Sequence, residues 1–311
     1  MELAEVRIPT YKRPDLLKRS IQSLIDQDYP HWRAIVMDDS LAQEAKAVVE
    51  SFADSRLIYR PNPKNLGSAG NLDQAFTTNS LLGGTYACVL EDDNWLLPTY
   101  LSENIAVLRA NNVKLLLRNQ AIWQQTEYDA RPTDRTTRGD WFTSKIYSPL
   151  EFYAYLFFFE GASNGGLFWH TEMQSQLQVG PTVKDAGLQE YCRALQIIEP
   201  FKFEPKPLCC WAEMTSSLSL RNPADNRTFA RGVQSIKQHL LKKYGTEMLL
   251  EIEAIALSLD KNLEFEISLA DALFPYQVLQ TKGILRKIKQ YLKSYTRSIW
   301  IENPLEDYLH A

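Results

Sequence analysis

The sequence predicts an α/β protein built on a mostly parallel, doubly wound sheet flanked by helices, with a helical C-terminal appendage. Three observations predict it. Buried-strand signals alternate with helical periodicity through roughly the first hundred residues. Carboxylates stand directly after two of the strands, Asp38-Asp39 after WRAIVM and Glu91-Asp92-Asp93 after YACVL, where open α/β sheets place their ligand crevices. From about Asn222 onward the strand signals stop and helical spacing alone remains.

Glu5 to Ile8 reads as a brief strand, which Pro9, Thr10, Tyr11 and Pro14 end in a loop. Leu16, Leu17, Ile21, Leu24 and Ile25 recur at helical spacing behind Asp15, and Asp28-Tyr29-Pro30 closes that helix. Trp32 to Met37 is a second buried strand, Ala42 to Phe52 a helix and Arg56 to Arg60 a third strand, before a turn-rich loop, Asn62 to Gly67, opens a helix over Ser68 to Thr77. Tyr86 to Leu90 is short and rich in β-formers, so it reads as a strand and not as a helix or membrane span. Three adjacent acids at its end repel one another, which costs stability unless a cation sits there. Hard oxygen ligands of this kind suit Mg²⁺ or Mn²⁺ already carrying phosphates. For EDD alone, a solvated acidic turn is the ordinary alternative.

A composition of 45% hydrophobic and 23% charged residues is that of a globular protein and excludes a disordered one. A net charge of -4 gives no global attraction to nucleic acid. Cys88, Cys192, Cys209 and Cys210 lack metal-ligand spacing and read as buried thiols in a reducing compartment. With neither a signal-peptide pattern nor a long apolar run, the chain reads most simply as cytoplasmic, with attachment to the inner face of the membrane open. No GxGxxG or GxxxxGK[ST] loop occurs; the Asn65 to Asn71 stretch, NLGSAGN, is the nearest loop able to turn backbone N–H groups toward an anion.

The segments VRIPTYKRPDLLKRSIQSLIDQDYPHWRAIVMDDS, NPKNLGSAGNLDQAF and YACVLEDDNWLLPTYL, in that order, resemble the nucleotide-binding half of a family 2 glycosyltransferase with a GT-A fold. The likeness covers about the first 110 residues. It implies inverting, hexosyltransferase-type sugar transfer from a nucleotide-sugar donor, by family habit a UDP-sugar, in polysaccharide biosynthesis. It also implies roles. Thr10 and Asp39 resemble the residues that hold the nucleobase, with Asp38 as the alternative to Asp39, and Pro9, Tyr11 and Arg13 belong to the same opening phrase. Lys64, Asn65, Gly67 and Asn71 lie where the family's loop meets the donor. Asp92 resembles the acid facing the ribose and Asp93 the ligand of Mn²⁺ or Mg²⁺ on the diphosphate, with Glu91 one layer behind. Independently of the family, a departing diphosphate develops negative charge that a divalent ion stabilises without proton transfer.

The second half is less regular. Thr126 to Thr143 is polar and reads as a loop or lid, Pro149 to Phe159 as the start of an aromatic helix, and Glu160 to Trp169 resembles the family's small-residue segment before a strand. Inverting transfer needs a carboxylate base. The stretch VKDAGLQEYCRAL offers Asp185, which starts a helix carrying Leu188, Cys192 and Leu195 at core spacing, and Glu190 in reserve; a helix cap and a solvated face are their ordinary alternatives. A "PxPL" phrase like the family's stands at Pro205 to Leu208, but the family's distal metal-site His is missing, leaving either Glu213 as a substitute oxygen ligand or a metal held by Asp93, the diphosphate and water. None of His31, His170, His239 and His310 belongs to a ligand pair.

Residues 281–301 form a basic amphipathic pattern with interfacial aromatics. Such a helix can lie on an anionic membrane; it can equally pack on its own domain or on a partner in a homodimer. The division expected is therefore a GT-A domain over 1–221, with a nucleotide-binding half over 1–110 and an acceptor half over 111–221, then a helical region over 222–311. The function expected is metal-dependent transfer of a sugar to a hydroxyl of a glycan, lipid-linked or other acceptor. The alternative is a catalytically weak nucleotide-sugar-binding protein acting as a scaffold subunit. Nucleotidyl transfer would want a basic Gly-rich loop near residue 10, which PTYKRP is not.

Overall fold

The computed structural model describes residues 2–126, 129–158, 161–214, 223–259, 292–293 and 295–310. The chain divides into two compact units, one of Met1–Tyr147, Ala162–Gly180 and Gln196–Ser219, the other of Ser148–Gly161, Pro181–Leu195 and Leu220–Ala311. The boundary expected between 221 and 222 lies outside the described residues, as do most of the basic stretch, at 281–291 and 294, and Glu160.

The first unit is built on one sheet, ten-stranded among the described residues. β1 (Ala4–Thr10), β2 (Trp32–Asp38), β3 (Leu57–Pro61) and β4 (Tyr86–Val89) pair in parallel in the order β3-β2-β1-β4. Between them run α1 (Pro14–Ile25), α2 (Glu44–Ser51) and α3 (Gly67–Ala75), so the predicted alternation is the one observed. Pro14 sits in the first turn of α1, where its missing N–H has no intrahelical partner to lose. Leu17, Ile21 and Leu24 bury the face of α1 that the 3.6-residue period brings together.

The sheet then becomes mixed. β5 (Trp95–Leu96) and α4 (Tyr100–Asn111) lead to β6 (Leu115–Gln125), while β9 (Leu167–His170) enters antiparallel between β4 and β6. Gly166 precedes β9 because a Cβ there would lie 2.5 Å from the Arg118 carbonyl oxygen. β10 (Phe201–Met214) runs parallel to β6 and carries β5 and β8 (Ile146–Tyr147) antiparallel. The stretch expected as a loop or lid holds a strand, β7 (Ala130–Thr136), antiparallel to β6. No residue of ARPTDRT is buried, so pairing is through backbone alone and leaves no apolar alternation to read.

β1 is buried at all seven positions although Glu5 and Arg7 are among them. Arg7 Nε donates to Glu5 Oε1 at 2.9 Å, and its Nη atoms donate to the carbonyls of Ala75, Thr77 and Asn79. Glu5 accepts from the Leu81 and Leu82 amides and from Ser80 Oγ. This paired, fully bonded charge cluster ties the α3–β4 connection to the central strand.

The second unit is helical among its described residues. α5 (Pro149–Tyr155) is capped by Ser148 Oγ, which accepts from Glu151 N at 3.1 Å. α6 (Ala186–Leu195) follows, then α7 (Pro223–Tyr244), α8 (Thr246–Ser258) and a short α9 (Glu306–His310). Gly245, at φ +55°, makes the turn between α7 and α8. Among the described residues no helix is long and apolar enough to cross a membrane. All four cysteines are buried and none is in a disulfide.

Candidate active site

β1 and β4 are parallel neighbours, with Arg7 level with Val89 and the Leu90 amide donating to the Arg7 carbonyl at 2.9 Å. The residues that follow each strand therefore emerge side by side at the C-terminal edge of the sheet. Thr10 to Arg13 meets Asp92 and Asp93 there. Thr10 Oγ1 donates to Asp92 Oδ2 at 2.8 Å, and the Tyr11 amide donates to the same oxygen at 3.3 Å. Arg13 Nη1 bridges the carboxylates, 2.8 Å from Asp93 Oδ2 and 3.4 Å from Asp92 Oδ1. The loop is bent by Lys12, whose φ of +54° is uncommon for a residue with a side chain.

The three acids of the EDD turn do not converge. Glu91 accepts from Asn94 Nδ2 at 2.8 Å. Asp92 is buried, and burial together with the neighbouring Asp93 charge pushes its carboxyl up to about 6. Burial also raises Asp93, with Arg13 pulling the other way. Arg19, which the sequence reading did not single out, donates to the Asp93 carbonyl at 2.6 Å and to Gln125 Oε1 at 2.8 Å while lying over the Trp95 ring. Its position on the α1 face toward β5 and β6 has no sequence signature.

A second cluster adjoins the first through Thr10, whose carbonyl accepts from the Asp39 amide and from Asn71 Nδ2. The two acids at the end of β2 separate here. Asp38 turns inward and accepts from the Ser40 and Ala45 amides and from the Tyr59 hydroxyl. Asp39 faces the loop, accepting from the amides of Leu66 and Gly67 at 2.7 and 3.0 Å and from Asn62 Nδ2 at 2.8 Å. Gly67 is at φ +74°, a conformation that favours glycine. Asn65 Nδ2 donates to the Asp39 carbonyl, and Asn71 Oδ1 accepts from Asn62 and Gln74. Lys64 is exposed and Tyr11 is 46% exposed, while Pro9 is buried in β1.

A divalent ion is compatible with this donor set. Two adjacent carboxylates at a strand end are hard oxygen ligands, and the upward shift of both marks negative charge that burial disfavours and that Arg13 offsets. Glu213 is engaged elsewhere, in an ion pair with Arg135 of β7, a strand that pairs with β6 as β10 does. Among the described residues no three His, Cys, Asp or Glu side chains converge on one point. His310 pairs with Glu306, His31 packs edge-on against Tyr29, and His170 Nδ1 accepts from the Glu172 amide.

Asp185 and Glu190 belong to the second unit. Asp185 starts α6 as predicted, with Oδ1 accepting from the Leu188 amide at 2.8 Å. Glu190 is half-buried on the same helix, whose Leu188 and Cys192 are buried and whose Leu195 is half-buried.

The comparisons with known proteins agree with this architecture. The S. aureus TarS 1-349 crystal structure superposes with a TM-score of 0.56, covering 99% of this chain and 89% of that one at 14% identity, which makes the fold of the GT-A type. The Escherichia coli protein WfgD, a UDP-Glc:alpha-D-GlcNAc-diphosphoundecaprenol beta-1,3-glucosyltransferase, is 27% identical over 120 residues, 39% of this chain and 46% of its own. The GalNAc(5)-diNAcBac-PP-undecaprenol beta-1,3-glucosyltransferase of Campylobacter jejuni is 34% identical over 109 residues, 33% of each chain. The chain thus spans less than half the length of these curated relatives. The sequence model of Glycosyl transferase family 2 matches residues 5–165, more than half of the 311, and the chain belongs to that family.

Proposed function

We propose that the chain transfers a sugar, with inversion, from a UDP-sugar to a hydroxyl of a lipid-linked or other glycan acceptor. The observation that carries the reading is the Asp92–Asp93 pair, brought beside Thr10 and Arg13 where β1 and β4 end. WfgD and the Campylobacter enzyme, by their names, act on undecaprenol-linked acceptors, and WfgD uses UDP-Glc. The Asp39 loop holds the nucleoside end of the donor: its carboxylate takes three protein donors and, with about four acceptor sites in all, retains capacity for a ring N–H. Asp93, with Asp92 beside it, would hold Mn²⁺ or Mg²⁺. When bound, the ion supplies positive charge to the departing diphosphate. Arg13 is the chain's own cation at that point, and Asp185 supplies the base, its second oxygen being left over from the helix cap. The reaction belongs at the cytoplasmic face of the membrane, in keeping with four buried thiols.

The pairing of Glu213 with Arg135 engages the carboxylate that could stand in for the missing distal histidine and favours a second reading, a catalytically weak nucleotide-sugar-binding subunit. Release of UDP from UDP-sugars, measured with Mn²⁺ for the natural chain, Asp93→Ala and Asp185→Asn, separates the two. Transfer predicts turnover that either substitution lowers by about a hundredfold or more. Binding without metal-dependent turnover on any polyprenyl-diphosphate glycan would leave the subunit reading standing.

A further inference from the structure

The second unit carries a surface that the donor site does not use. Residues 292–293 and 295–300 are helical, and Leu292, Tyr295, Ile299 and Trp300 are 53%, 43%, 54% and 81% exposed. They are four of the ten exposed large hydrophobic residues among those described, so exposed apolar surface concentrates in this short segment. Positions 292, 295, 299 and 300 recur at helical spacing and form one stripe. The other side of the segment is anchored: Ser298 Oγ donates to Gln234 of α7 at 3.2 Å, and the neighbouring Leu305 is buried. The outward stripe therefore belongs to a seated helix.

Beside the stripe is a groove of about 680 Å³ whose lining includes Arg227, Lys293, Arg297 and Trp300 and, among the described residues, no carboxylate. Arg227 and Lys293 are exposed. Exposed aromatic and aliphatic side chains beside a groove whose charged lining residues, among those described, are all cations match the interfacial zone of a bilayer, where rings sit at headgroup depth and Lys or Arg meet lipid phosphates. A second copy of the chain would bring like charges together across the same face. A strand of nucleic acid would leave the aliphatic Leu292 and Ile299 unmatched.

We propose that this face docks the protein on an anionic phospholipid surface, with the Arg227–Lys293–Arg297 groove taking headgroup phosphate and Trp300, Tyr295, Ile299 and Leu292 entering the interface. The inference rests on this surface and is independent of the donor reading. The test is flotation of the full chain with vesicles of phosphatidylcholine alone and of phosphatidylcholine mixed with phosphatidylglycerol. The chain floats with the mixed vesicles, not with the neutral ones, and less at high salt. The exposed pair R227E/K293E loses about tenfold or more in vesicle affinity, since each basic residue near a charged membrane is worth roughly fivefold. Trp300→Ala loses affinity as well, and bromolipid quenching of tryptophan fluorescence falls with it. Both variants keep the natural circular dichroism and the natural thermal shift with UDP, so a failure of donor binding is read separately. Absence of flotation with anionic vesicles, equal flotation with neutral ones, or undiminished binding of R227E/K293E overturns the proposal.

Discussion

At the scale of the residue, the site is governed by charge that burial makes costly. The Asp92 carboxyl rises from its ordinary 3.8 to about 6, first through burial and then through Asp93. A folded pKa above the unfolded one means that between these values the folded chain holds a proton the unfolded chain has released. Stability from this group is therefore full below the lower value and lost as pH rises through the upper one. Asp92→Asn, which keeps an acceptor for Thr10, is expected to be more stable than the natural chain at pH 7.5 by at most about 3 kcal/mol, with the gain vanishing toward pH 4. Urea unfolding at the two pH values measures it. Arg13 stands where a metal's charge would act, so Arg13→Ala should bind Mn²⁺ alone several-fold more tightly while losing affinity for UDP. Isothermal titration with each ligand reads the two effects separately; weaker binding of Mn²⁺ by Arg13→Ala would count against a competing role.

At the scale of the element, β1 does two jobs. Its C-terminal end delivers Thr10 to Asp92, and its middle carries the Glu5–Arg7 pair that pins the α3–β4 connection. Removing one member of a buried pair leaves the other charge uncompensated. Glu5→Ala should cost about 3–5 kcal/mol, far more than truncating an exposed acid. Denaturant unfolding is the measurement, and a cost under about 1 kcal/mol would mean that Arg7 finds another partner or reaches water. The loop from Asn62 to Gly67 depends on a different acid. Asp39→Ala strands the Leu66 and Gly67 amides and should weaken UDP binding by about tenfold or more, as each lost charged hydrogen bond costs about 1.5–3 kcal/mol. The strand Ala130–Thr136 was illegible beforehand, because a solvated edge strand needs only backbone pairing.

At the scale of the whole molecule, the residues proposed to hold the donor, from Pro9 to Asp93, all belong to one unit, while both base candidates belong to the other. Donor binding can thus be tested without reference to acceptor chemistry. UDP-sugars at a hundred times their dissociation constant should stabilise the chain by about 2.7 kcal/mol, seen as a rise in melting temperature that is larger with Mn²⁺. No metal-dependent difference would leave Arg13 as the diphosphate's cation in this chain.

The sequence by itself determined the family, the alternation of β1 to β4 with α1 to α3, and the stretches where donor residues would gather. These are legible because buried parallel strands must be apolar, helices must show their period, and the acids at two strand ends stand in order with the other segments that resemble the family. Only the tertiary structure decided which of two adjacent acids does what. Asp38 turns to Tyr59 and Asp39 to the Asn62–Gly67 loop because successive strand-end residues point to opposite faces. Arg13, not Glu91, neighbours both aspartates. Glu213, adjacent in sequence to nothing basic, is committed to Arg135 across the sheet. Such pairings depend on which strands lie side by side, and that is a property of the folded sheet and not of any one segment.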